Sequence, residues 1–119
     1  MEVAKPRYDS GHYADAVEAA LKELNATVKQ IYFEKMREEK DGADLMHSAF
    51  SPKKPIIILG DQRTETGRSM QQGYMEIFAG AIAGIRNPKA HDNIAIDEKR
   101  AIHHLFVASL LFSKLDEQV

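Results

Sequence analysis

The run Arg86-Asn87-Pro88-Lys89-Ala90-His91 is the part of the sequence whose residue types and spacing best suit chemistry. Arginine stays charged at every relevant pH and meets phosphate oxygens as a bidentate fork, while an imidazole can take and give a proton near neutrality. The residue before a proline is pushed out of the α region, and Pro88 suits the first position of a new turn, so a sharp bend is expected here. Arg86, ending one helix, and His91, starting the next turn, can then converge on one pocket. Such a pair suits phosphoryl chemistry without a metal. Asn87 and Lys89, lying between them, are the substrate-binding candidates. Spacing alone also allows a structural role, with Arg86 capping helix carbonyls or pairing with Asp92 and His91 satisfied within the turn.

The remaining polar residues offer less. His12 and Tyr13 open a helix, where such side chains serve as caps or staples more often than as catalysts. His103 and His104 are adjacent, so they point about 100° apart on a helix and cannot hold one metal as an i, i+4 pair could. They are expected at the surface or its edge. His47 and Asp44 are two ligands at most, expected in solvent. The sequence has no cysteine, which excludes a disulfide scaffold, a thiolate zinc site and a cysteine nucleophile. No Ser-His-Asp order and no dinucleotide fingerprint is present, and no cofactor is implied.

The elements that must position Arg86 and His91 read as helices. Residues 1–11 read as a leader, and 12–119 as a single helical domain. From His12 to about Glu38 the residues Tyr13, Val17, Leu21, Leu24, Val28, Ile31 and Met36 keep to one helical face. Lys40-Asp41-Gly42 breaks that helix, and Ala43 to Phe50 predicts a short second one. Pro52 and Pro55 stop it. Pro55 to Gly60 is β-branched and extended without an evident partner, so it either pairs with a second chain or runs over the helices. Thr64 to Arg86 returns to helical spacing. Gly80 and Gly84, one turn apart within it, are expected to let a neighbouring helix or chain approach closely. Asp97 is a credible N-cap for a last helix reaching about Leu115. Leu105 to Phe112 is apolar on nearly every side and must be covered on every side, which points to a homodimer.

At 119 residues, with 44% hydrophobic and 29% charged, the chain composes as one globular domain with a modest core. A net charge of −2 does not mark a binder of long nucleic acid. The charge is uneven, however: Lys53 to His91 holds six basic residues against three acidic, and the first 50 residues hold seven against ten. A local positive zone of this kind can hold a phosphate. The longest run free of charged or strongly polar residues, Ile77 to Ile85, has nine residues, against the roughly 20 of a membrane span. No apolar run follows Met1 to Arg7 as a signal peptide would require, so a cytoplasmic location is expected.

Arg-Asn-Pro-x-x-His, preceded by Gly-x-x-x-Gly-Ile and followed by an apolar terminal helix, resembles the R-x4-6-H motif of the HEPN (higher eukaryotes and prokaryotes nucleotide-binding) superfamily. With Gly11-His12-Tyr13-x-x-Ala16-Val17 and Asp44-Leu45-Met46 added, the sequence is more closely similar to the Ymh-like branch, found among phage-defence and abortive-infection proteins. The similarity covers about residues 11 to 115. It implies an all-α, four-helix HEPN-like bundle with a long extended connection between the second and third helices, and a homodimer. It also implies a metal-independent endoribonuclease acting on RNA, with Arg86 on the scissile phosphate and His91 supporting attack by the ribose 2′-hydroxyl. An antitoxin or a sensor domain is the implied regulatory partner. Asn93 stands two residues after His91, where one branch of the superfamily carries a modified tyrosine, so that regulation is not expected. Members that bind without cutting define the alternative: a non-catalytic RNA- or nucleotide-binding module, or a dimerisation module of a larger defence protein.

Overall fold

The computed structural model describes residues 3–9, 11–87 and 96–119, and among these every regular element is a helix. Helix α1 spans Lys5–Asp9, α2 Tyr13–Met36, α3 Gly42–Phe50, α4 Glu65–Ala81 and α5 Glu98–Asp116. A π turn, Ile82–Arg86, extends α4. The chain is all-α, as its apolar periodicity predicts, and most helix ends follow from capping chemistry. The Asp41 carboxylate accepts from Gly42 N, Thr64 Oγ1 from Gly67 N, and Asp97 from Arg100 N, each satisfying a donor that the first turn leaves free. Helix α2 ends with Arg37 in the left-handed region at φ 58°, its N–H bonded to Phe33 O.

Two helix pairs build the core. Helix α2 packs on α5, where Ala16 and Ala20 on one side and Ala101 and Ala108 on the other are all buried. Small side chains there bring the two axes close, and Leu21, Leu24, Val28, Leu111 and Leu115 fill the space around them. Helix α3 packs on α4 around Phe50 and Phe78, whose rings stack at 4.3 Å. Lys114 of α5, 6% exposed, lies over the Tyr74 ring at 5.0 Å and joins the pairs.

Residues 51–64 connect α3 to α4, and of the two roles open to Pro55–Gly60 the structure shows packing over the helices. Ile57 and Leu59 are buried. Their backbone is satisfied within the chain: Ile56 N and Ile57 N donate to Ala49 O, and Val119 N donates to Ile58 O. The buried Gln71 side chain completes the set, donating from Nε2 to Phe50 O and Ile57 O at 2.9 Å each and accepting from Leu59 N at 2.8 Å. One amide thereby does for this segment what a neighbouring strand would otherwise do.

Three features sharpen the sequence expectations. The segment read as a leader includes the buried Ala4 and, directly after it, α1, which packs on α2 and is tied to α5 by a hydrogen bond from Tyr8 Oη to Glu98 at 2.9 Å; Tyr8 also meets the Tyr13 ring edge-on. Within the chain no helix approaches Gly80 or Gly84, where an added Cβ would meet nothing within 4 Å, which leaves a second chain as the neighbour these glycines could admit. The close approach within the chain lies at Gly60 and Gly67, where a Cβ would fall 2.3 Å from Gly67 O and 1.9 Å from Asp61 O respectively. The third concerns the histidine pair: His103 is exposed and His104 half-buried, as the surface-or-edge reading expects, with the His104 Nδ1 atom itself buried.

Candidate functional site

Arg86 and Asn87 stand where α4 widens. The Asn87 N–H reaches back five residues to Ile82 O, and the buried Ile82 anchors this wide turn. Such turns re-aim the residues that follow them and recur at functional sites. The π turn packs against α2 and α3, so Arg86 is held half-buried at the junction of three helices instead of projecting from a free helix end.

The opposite wall of the junction is a polar cluster within an otherwise apolar interface. Asn25 of α2 is only 5% exposed. Its Nδ2 donates to Asp41 Oδ1 at 2.5 Å, and its Oδ1 accepts from Gly42 N at 3.2 Å. Gly42 N also donates to Asp41 Oδ1, and Gly42 adopts φ +64°, which is easy for glycine and strained for other residues. The Asn25 hydrogen bond is the largest cause holding the Asp41 carboxyl below the usual carboxylate range; partial burial opposes it, while the Gly42 N–H and the charges of Lys29 and Arg86 reinforce it. Both cations act on Asp41 through their charge from beyond ion-pair distance. Among the described residues Arg86 has no carboxylate within ion-pair distance, and its recorded hydrogen bond is a long one, Nη1 to Asn87 Oδ1 at 3.5 Å. Among the described residues, then, most of the guanidinium fork has no recorded partner.

Of the four candidate site residues, the structure brings Arg86 and Asn87 together at this junction. Lys89 and His91 lie outside the described residues. Asp92, the alternative partner of Arg86, does too. The sequence reading missed the Asn25–Asp41 pair and the charges of Lys29 and Arg86 that act on it. The available signal was an asparagine beside the apolar stripe Leu21, Leu24, Val28. His12 takes the N-cap position of α2 without a side-chain cap and lies 3.7 Å from Asp15. Asp44 is exposed and faces Lys40 at 3.8 Å, and His47 is exposed. Among the described residues no three His, Asp or Glu side chains gather as metal ligands, and no helix is long and apolar enough to cross a membrane.

The family described as "Protein of unknown function (Hypoth_ymh)" matches residues 1–115, nearly the whole chain. The chain belongs to the Hypoth_ymh family. Membership agrees with the Ymh-like resemblance carried by Gly11 to Val17, Asp44 to Met46 and the Arg-Asn-Pro run, and the matched residues include α1. No curated protein and no solved structure matches.

Proposed function

We propose that this Hypoth_ymh chain is a metal-independent endoribonuclease of a defence or toxin system, built as a HEPN-like bundle of α2 to α5 and working as a homodimer. The observation that carries the reading is the Arg86 junction: a guanidinium held half-buried by the π turn against α2 and α3, without an ion-pair partner among the described residues. The surplus positive charge suits a single phosphodiester. Support for a second copy comes from α5, which leaves Ile102, Phe106 and Leu110 on one exposed face, Phe106 at 69%. A cavity of about 400 Å³ adjoins this face, lined by Ala4, Tyr8 and Leu105 among others. Exposed apolar surface of this kind is a common mark of an interface.

In this mechanism Arg86 binds the two non-bridging oxygens, and Asn87 and Lys89 help to hold the strand. The 2′-oxygen attacks phosphorus as its proton passes to the imidazole of His91. The bond from phosphorus to the 5′-oxygen breaks, and an imidazolium protonates the leaving oxygen. One motif histidine per chain supplies one of these roles, and a twofold axis supplies the other. The products are a 2′,3′-cyclic phosphate and a 5′-hydroxyl. An antitoxin or sensor partner would act by covering the junction or by separating the copies.

The test is cleavage of single-stranded RNA by the full chain in EDTA, with cyclic-phosphate ends identified by mass spectrometry. Arg86→Ala and His91→Ala each abolish cleavage while circular dichroism and sedimentation stay unchanged. Cleavage that survives both substitutions, or that needs a divalent ion, refutes the mechanism. Wild-type RNA binding that requires Arg86 but yields no cutting replaces it with the non-catalytic binding module.

A further inference from the structure

Helices α3 and α4 lie side by side, with Arg86 at one end of the pair. At the other end, where α3 runs into the connection, a second cavity of about 520 Å³ opens between His47, Ser51, Pro52, Lys53, Gln72 and Met75. No carboxylate among the described residues lines it. His47 and Lys53 are exposed and can each donate to an anion, and Lys53 has no carboxylate within ion-pair distance among the described residues. Met75 is 8% exposed and, with Pro52, provides an apolar floor. Gln72 donates to Glu76 at 2.7 Å, which occupies that carboxylate next to the rim. The nearest acid on the exposed side of α3, Asp44, is held by Lys40.

A cation above an apolar floor, with hydroxyl and amide groups at the rim, matches the chemistry of a nucleotide: charge for the phosphate, apolar surface for the base face. The placement matters as much. Asp41 at the start of α3 feels the charge of Arg86, and Ser51 follows its last residue. Nine residues separate the two ends, about 13 Å along a helix axis. A stacked strand advances about 3.4 Å per nucleotide, so about four nucleotides bridge the distance.

We infer that the His47–Lys53 cavity is a second RNA subsite, holding a nucleotide of the same single strand whose scissile phosphate lies at Arg86. The inference rests on the ribonuclease reading and gives it a binding direction along the α3–α4 pair. Lys53 contacts the phosphate as a mobile point charge, His47 adds a donor, and Pro52 and Met75 accept any base, so the subsite adds affinity with little sequence preference.

The experiment measures fluorescence anisotropy of the full chain with 2′-O-methylated RNA, which is not cut, comparing a strand of about 12 nucleotides with a dinucleotide over a range of salt. The double variant His47→Ala, Lys53→Ala weakens the long strand about tenfold and lowers its salt slope by about 1. Dinucleotide binding and turnover at saturating unmodified RNA stay at wild-type values, and Lys53→Arg restores most of the lost affinity. Unchanged binding of the long strand, or equal weakening of both lengths, overturns the subsite; if Arg86→Ala still abolishes cleavage in the same preparation, the ribonuclease reading stands. A wild-type chain that neither binds nor cuts RNA overturns both.

Discussion

Replacing Gln71 tests how the non-helical connection is held, because one buried side chain satisfies three backbone groups there. In Gln71→Leu, which is close in volume, Phe50 O and Ile57 O lose their donor and Leu59 N loses its acceptor. A buried polar group left unpaired costs about 1–3 kcal/mol, so three independent losses would total about 3–9 kcal/mol. Relaxation lowers this, since the Gln62 amide sits 3.4 Å from Gln71 Oε1 and can shift toward the vacated groups. We expect a loss of about 3–5 kcal/mol, a large share of the 5–15 kcal/mol typical of a whole domain. Urea unfolding followed by far-ultraviolet circular dichroism measures it directly. Gln71→Glu adds a sign test: the carboxylate can still accept from Leu59 N but cannot donate to the two carbonyls, whereas the protonated acid can donate to one. Burial raises the folded-state pKa of such a glutamate, so its stability relative to wild type is highest below the unfolded pKa and falls as pH rises through the folded value. A loss under about 1 kcal/mol for Gln71→Leu, or a pH-independent Gln71→Glu, would refute this account of how the connection is held.

His104 makes stability depend on pH. Burial, followed by the charges of Arg100 and His103, depresses its pKa below the ordinary 6.5, so the unfolded chain binds a proton that the folded chain resists. Stability therefore falls as pH drops through about 6.5 and levels off below the folded value; His104→Leu flattens that part of the curve in thermal melts taken across the window. The glycines separate by location. Gly67→Ala drives a Cβ into the Asp61 backbone and is expected to cost several kcal/mol in the same melts. Gly80→Ala meets open space and should stabilise α4 by about 1 kcal/mol; a fall in melting temperature together with loss of self-association would show that a second copy covers this face.

Helix existence and helix ends were legible in the residues because their causes are short-range. Apolar residues three and four apart mark α2, Asp41, Thr64 and Asp97 cap their own first turns, and Pro52 and Pro55 cannot continue α3. The positive zone containing Arg86 was likewise a matter of composition. Packing decided the rest. Gln71 joins groups 12 to 21 residues away, and Asn25 reaches Asp41 across 16; nothing in the local pattern distinguishes either amide from an exposed one. Gly60 and Gly67, not Gly80 and Gly84, sit at the close contact because the connection folds back there, a property of the path and not of glycine spacing. The charge of Arg86 acts on Asp41 for the same reason: helical periodicity fixes which side of α4 is apolar, but only the packing of three helices fixes what stands near its end.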